Sequence, residues 1–263
     1  MFEIVKKLGE IGLVPVLSID DPEQAVAIGE ALSAGGLPCA EITFRTAGAE
    51  EAIRRISEAL PDMLVGAGTV LTTEQVDRAV AAGSKFIVSP GLNPRIVSYC
   101  LERNIPVVPG TSCPSDMEQA LELGLDTVKF FPAEPSGGLK AIKAMAAPYT
   151  ALSFMPTGGI NAQNVASYLA YPRIVCCGGS WMVPGDLLKK GDFEGIRKLT
   201  EQAVLAALDM TFEPTEDGPV IRTLSVPRAM RYLSSRGYTF AEGCTEKEAC
   251  ILAPIQARLL KKA

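Results

Sequence analysis

The chain of 263 residues contains no histidine. A Ser-His-Asp triad is therefore excluded, as is a zinc site with histidine ligands. Acid–base chemistry must fall to Asp, Glu, Lys, Tyr or Cys. The chain also lacks a basic run, and its formal net charge is −5, which argues against nucleic acid or an anionic membrane surface as partner. No apolar stretch is long enough to span a bilayer. The opening "MFEIVKKLGEIGLVPVL" has neither the uninterrupted apolar region nor the small-residue cleavage site of a signal peptide. The seven cysteines show no C-x-x-C spacing. An odd number without a framework points to reduced thiols in a cytoplasmic protein. The aromatic residues are scattered and form no stacking platform.

What is present is apolar. Hydrophobic residues make up 48% of the chain and charged ones 21%, enough for one large core and a small appendage. Eight apolar runs alternate with amphipathic stretches: "LVPVLSI" (13–19), "CAEITF" (39–44), "LVGAGTV" (64–70), "FIVSPG" (86–91), "PVVPGT" (106–111), "TVKFFP" (127–132), "ALSFMPTGG" (151–159) and "IVCCGGS" (174–180). Helix starts are signalled at Asp21-Pro22, Thr72 or Thr73, Asn93-Pro94, Cys113-Pro114 and Asn161. The glycines of "AGG" (34–36), "AAG" (81–83) and "ELG" (122–124) mark helix ends. Eight strand–helix units predict an α/β fold, a (β/α)8 TIM barrel over residues 1–207. The competing architecture is an open doubly wound sheet, which usually has fewer strands. The first helix, "FEIVKKLGEIG", should cover the bottom of the barrel. Residues 208–263 form a short α+β extension: "FEPTEDGPV" (212–220) reads as a linker, followed by strand, helix, strand and helix, docked on the barrel.

Barrel enzymes act at the C-terminal ends of their strands. In "AEITFRT", Glu41, Thr43 and Arg45 share one parity and should face the lumen. They form either a functional constellation or a salt bridge between Glu41 and Arg45 that fills space. Lys129 stands in the middle of the run "VKFFP" and should point inward with Phe131. A lysine amine is protonated in water at neutral pH, and burial disfavours the charged form, leaving a nucleophile. The bland alternative is a structural pair with Glu41. Gly158 and Gly159 end the seventh run, and Gly178 and Gly179, followed by Ser180, end the eighth. Loops at these two places usually cradle phosphate in this fold, although tight turns also favour glycine. "GAGTVL" (66–71) lacks the third glycine of a dinucleotide fingerprint. Cys176 and Cys177 read as strand filler with no redox role.

The motifs "EITFRT", "VGAGTV", "SPGLNP", "KFFPAE", "PTGGI" and "GGSW" occur in this order and spacing. Together they closely resemble the bacterial 2-keto-3-deoxy-6-phosphogluconate (KDPG) aldolase family, also called 4-hydroxy-2-oxoglutarate (KHG) aldolase, over about residues 5–205. The resemblance implies a class I aldolase that needs no metal or cofactor, works on a small-molecule substrate and assembles as a homotrimer. It implies Lys129 as the Schiff-base lysine and Glu41 as general acid/base. It implies Arg45 on the pyruvyl carboxylate, Thr69 and Thr157 lining the pyruvate end, and Gly158, Gly159, Gly179 and Ser180 around the distal phosphate. Two departures stand out. Many members carry a basic residue in the first strand where "PVLSID" has Ser18, which bears on the choice between phosphorylated and unphosphorylated substrates. Typical members also lack the tail beyond about residue 207, whose stretch "IRTLSVPRAMRYLSSRGYTFAE" is weakly similar to half of a glyoxalase-type βαβ module. Two rival functions remain at this point: a phosphosugar isomerase or epimerase on the same barrel, and a keto-acid sensor with the tail as output.

Overall fold

The computed structural model describes residues 1–262. Helix α1 (Glu3–Ile11) precedes strand β1 (Leu13–Leu17), and α2 (Ala25–Ala34) leads to β2 (Cys39–Thr43). Then come α3 (Ala49–Ala59), β3 (Leu64–Gly68), α4 (Thr73–Ala81), β4 (Ile87–Val88) and α5 (Pro94–Glu102). The fifth run is split at Pro109 into β5 (Val107–Val108) and β6 (Gly110–Thr111). After α6 (Pro114–Glu122), β7 (Thr127–Phe130), α7 (Gly138–Ala146), β8 (Ser153–Pro156), α8 (Val165–Leu169) and β9 (Cys177–Gly179), the helices α9 (Gly185–Lys190) and α10 (Phe193–Leu208) close this part of the chain. Every one of the eight apolar runs thus contains a strand. Six strands pair in the order β5-β4-β3-β2-β1-β9 and three in the order β6-β7-β8, all in parallel. The bridges Phe154–Ile174 and Thr157–Gly178 connect β8 and the residue after it to β9 and the segment before it. The result is an α/β fold whose curved parallel sheet is covered by helices.

The expected start signals are in use. Thr72 Oγ1 accepts from the Gln75 N–H and Asn93 Oδ1 from the Arg95 N–H, each capping the helix that follows. Pro94 and Pro114 occupy the first turns of α5 and α6, where no N–H is needed. Asn161 is a correction. It folds a turn of its own by accepting from the Gln163 N–H, and α8 begins after Asn164.

Two cores result from strand alternation. The outer one lies between sheet and helices and includes Ile42, Val65, Val128, Phe130, Phe154 and Cys177. The inner one holds Val14, Cys39, Phe86, Val88, Val108, Met155 and Cys176, and Val5 and Leu8 of α1 close it from below. A Cβ at Gly66 would come within 2.2 Å of the Phe86 ring, so glycine there makes room for the largest inner side chain. Burial pushes the Cys176 thiol up to about 12 and the Cys100 thiol up to about 11, and it raises Cys39 and Cys177 too. The thiolate is the reactive form. A thiol reagent is therefore expected to modify the exposed Cys113 and Cys250 quickly, the half-buried Cys244 more slowly, and Cys39, Cys100, Cys176 and Cys177 only in denaturant. Fast labelling of any of the last four in the native protein would contradict this packing.

The tail corrects two expectations. The stretch read as a linker is a hairpin of β10 (Thr211–Thr215) and β11 (Gly218–Thr223), turned by Glu216 and Asp217 with Gly218 at φ 108°. Helix α11 (Val226–Ser235) and β12 (Thr239–Phe240) follow as read. The final segment, expected as a helix, is instead the hairpin β13 (Glu248–Ala253) and β14 (Ala257–Lys261). Pro254 interrupts any helix there, and the buried Ala249 and Ile251, then Ala257 and Leu259, alternate with period two. The five strands form one sheet in the order β10-β11-β14-β13-β12. Helix α11 meets the first part of the chain through Arg228, whose Nε and Nη2 donate to the Gly9 and Val175 carbonyls at 2.9 and 3.0 Å. Arg231 Nη2 donates to the Gly36 carbonyl at 3.1 Å.

Candidate active site

All four residues of β7 are buried, and Lys129 keeps only 5% of its surface exposed. Its Nζ lies 3.2 Å from Glu41 Oε1, although 88 residues separate the two in the chain. Glu41 is 1% exposed and sits on β2 opposite Gly66 of β3. A Cβ at Gly68 would come within 2.2 Å of Glu41 Oε1, so a glycine at the end of β3 is what seats this carboxylate. Lys129 Nζ also lies 5.2 Å from the centre of the Phe131 ring, close enough for a cation–π contact. Thr111 Oγ1 donates to the Lys129 carbonyl at 3.1 Å and fixes the strand beneath. Glu41 Oε2 and Thr157 Oγ1 are buried without a hydrogen-bond partner among the described residues. Such orphans are rare and carry a desolvation penalty.

Arg45 differs from its expected place. It lies in the turn beyond β2, exposed, and makes no salt bridge with Glu41; the carboxylate pairs with Lys129 instead. Arg45 Nε donates to Thr43 Oγ1 at 3.2 Å, and Thr43 Oγ1 lies 2.7 Å from Ser18 Oγ. Ser18 is therefore part of the scaffold that holds the arginine. Thr69 follows β3 at φ 56°, a left-handed conformation that a β-branched residue adopts only under constraint.

The glycines at the strand ends divide into two kinds. Gly158 and Gly159 have φ of 99° and 83° and build a turn that other residues resist. Gly178 and Gly179 have ordinary backbone, but a Cβ would come within 2.3 Å of Thr157 Oγ1 at the first and 1.9 Å of the Trp181 ring at the second. Trp181, whose buried Nε1 has no partner among the described residues, is a candidate that spacing alone passed over. A cavity of about 380 Å3 opens at this end, lined by Ser18, Asp20, Gln24, Arg45, Ser180 and Lys189 among others. Its size suits a small ligand. Lys189 brings a cation to this wall, which no motif in the sequence signalled. Lys129 and Glu41 lie outside the cavity lining, deeper in the sheet. Among the described residues, no cluster of Cys, Asp and Glu has the form of a metal site.

A lysine and a carboxylate buried in contact can do imine and proton-transfer chemistry on a carbonyl compound. The family model described as KDPG and KHG aldolase matches residues 4–199. The 2-dehydro-3-deoxy-phosphogluconate aldolase of Treponema pallidum is 48% identical over 204 residues, covering 78% of this chain and 97% of its own. The KDPG aldolase of Zymomonas mobilis, solved with 3-phosphoglycerate, is 42% identical with a TM-score of 0.71, covering 76% of this chain and 94% of that one. The KDPG aldolase of Legionella pneumophila, solved with pyruvate captured as a covalent carbinolamine, is 36% identical with a TM-score of 0.74, covering 77% of this chain and 98% of that one. With the match spanning all eight apolar runs and the paired Lys129 and Glu41, this chain belongs to the KDPG and KHG aldolase family.

Proposed function

We propose that this enzyme is a Schiff-base aldolase that cleaves KDPG to pyruvate and glyceraldehyde 3-phosphate, and KHG to pyruvate and glyoxylate. The observation that carries this reading is the buried contact of Lys129 Nζ with Glu41 Oε1 at 3.2 Å, beside a relative in which pyruvate is held as a carbinolamine.

The amine of Lys129 attacks the C2 carbonyl carbon and gives a carbinolamine, which loses water to become an iminium. Glu41, through its unpartnered Oε2, takes the proton of the C4 hydroxyl. The electrons of the O–H bond form the aldehyde C=O, and those of the C3–C4 bond flow into the iminium and leave an enamine. Protonation at C3 and addition of water release pyruvate and restore the amine. Arg45 binds the pyruvyl carboxylate, and Thr69 and Thr157 shape the pyruvate end. Gly158, Gly159, Gly179 and Ser180 receive the phosphate, with Lys189 lining the cavity that Arg45 and Ser180 share.

The larger organisation belongs to the same proposal. The two parallel sheets, joined by the bridges between β8 and β9 and by the single run that holds β5 and β6, act as one closed (β/α)8 barrel over residues 1–207. Residues 208–263 form a C-terminal extension docked on the barrel. The enzyme works in the cytoplasm as a homotrimer. No helix among the described residues is long and apolar enough to cross a membrane.

Borohydride reduction in the presence of pyruvate tests the chemistry. The expected result is inactivation, with a reduced pyruvyl adduct on the peptide containing Lys129 by mass spectrometry. Bound pyruvate without any adduct would overturn the imine.

A further inference from the structure

We propose that Glu134 and Tyr168 are positioning residues for the phosphate end of the substrate, acting through the Gly158–Gly159 turn; the proposal rests on reading that turn as the phosphate cradle.

Tyr168 lies on α8 and is 1% exposed. A phenol buried this far needs a partner for its hydroxyl. The partner is Glu134 Oε1, in the loop that follows the catalytic strand β7. The same Glu134 donates its backbone N–H to the Gly158 carbonyl at 3.0 Å. Asn164, which precedes Tyr168 by one helical turn, donates its side-chain amide to the Gly159 carbonyl at 3.1 Å. Asn161 donates to that carbonyl as well, at 3.3 Å.

The turn is thus held from two sides. Both glycine carbonyls already accept from protein donors, one from the Glu134 backbone and one from the two asparagines. This orientation presents the N–H side of the turn to an incoming anion, as phosphate cradles require. Side-chain volume repeats the message. A Cβ on Gly159 would lie 2.6 Å from Glu134 Cβ and Cγ. A Cβ on Gly138 would lie 3.0 Å from Glu134 Oε1 and 3.2 Å from the Tyr168 hydroxyl. Two glycines, one in the turn after β8 and one at the start of α7, therefore clear the space in which this contact forms. Neither Glu134 nor Tyr168 touches the Lys129–Glu41 pair, so the pair acts on placement of the phosphate and leaves the imine chemistry alone.

The test compares a phosphorylated and an unphosphorylated substrate in Tyr168→Phe, Glu134→Ala and Glu134→Gln. Losing a hydrogen bond to a charged acceptor should raise the KM for KDPG about tenfold in Tyr168→Phe and in Glu134→Ala. The kcat should stay within about twofold. The KM for KHG, which has no phosphate, should stay at the wild-type value. Glu134→Gln keeps an oxygen acceptor for the tyrosine and should restore most of the KDPG affinity. A purely structural role would move both substrates together, so parallel changes in KM, or no change, overturn the proposal. Inorganic phosphate as a competitive inhibitor of the wild type separates the two levels. If phosphate inhibits the wild type and the variants are unaltered, the positioning role fails alone. If phosphate does not inhibit and the wild type treats the two substrates alike, the cradle itself fails.

Discussion

Replacing Lys129 by methionine is expected to reduce turnover of KDPG by at least about 10^4-fold, because it removes the amine proposed to form the imine. The variant should remain folded but lose stability. Methionine matches the length of the lysine stem and suits the buried surroundings, yet it leaves the Glu41 carboxylate without its partner. Breaking a buried pair from one side costs about 3–5 kcal/mol, a large share of the about 5–15 kcal/mol of a typical domain. Circular dichroism and a denaturation curve are therefore part of the assay. Lys129→Met combined with Glu41→Gln removes both charges and should recover most of the loss while remaining inactive. Turnover within tenfold of wild type in a folded Lys129→Met enzyme would end the Schiff-base assignment.

Glu41→Gln alone is expected to lower kcat by about 10^2–10^4-fold, the usual contribution of a positioned acid–base group. Its informative property is a split. Glutamine fills the seat that Gly68 leaves and can still accept from the lysine, so the amine stays in place. Borohydride should continue to trap pyruvate on Lys129, while cleavage of the C3–C4 bond is slow. Loss of trapping to the same degree as loss of turnover would show that the carboxylate acts on imine formation. Unchanged kcat would remove it from the proton transfer.

The buried lysine–carboxylate contact is easier to read from the sequence than its support. A lysine among Val128, Phe130 and Phe131 is conspicuous because an ammonium there needs a reason, and strand parity directs it inward with Glu41. The eight strand positions were equally visible, since each is an apolar run bounded by proline, glycine or a capping residue. Arg45 was placed one step too deep, because parity does not tell where a strand ends. Gly66 and Gly68 resembled fragments of a nucleotide motif; their true cause, the bulk of Phe86 and Glu41 across the sheet, needs coordinates. The contact of Glu134 with Tyr168 joins residues 34 apart through loop packing, which leaves no periodic trace. The last hairpin was hidden for another reason. Alanine, leucine and lysine around residues 257–262 favour a helix in isolation, and pairing with β11 overrides that preference.

Gly9, Gly36 and Val175, whose carbonyls accept from Arg228 and Arg231, all lie before the strands β1, β2 and β9 begin. Arg45, Gly158, Gly159 and Ser180 all lie after strands have ended. The tail's contacts and the cavity lined by Arg45 and Ser180 are therefore separated by the length of the sheet, about 17 Å for a five-residue strand. Among the described residues, none of the tail lines that cavity. The tail braces the opposite end of the sheet and leaves the mouth of the cavity open.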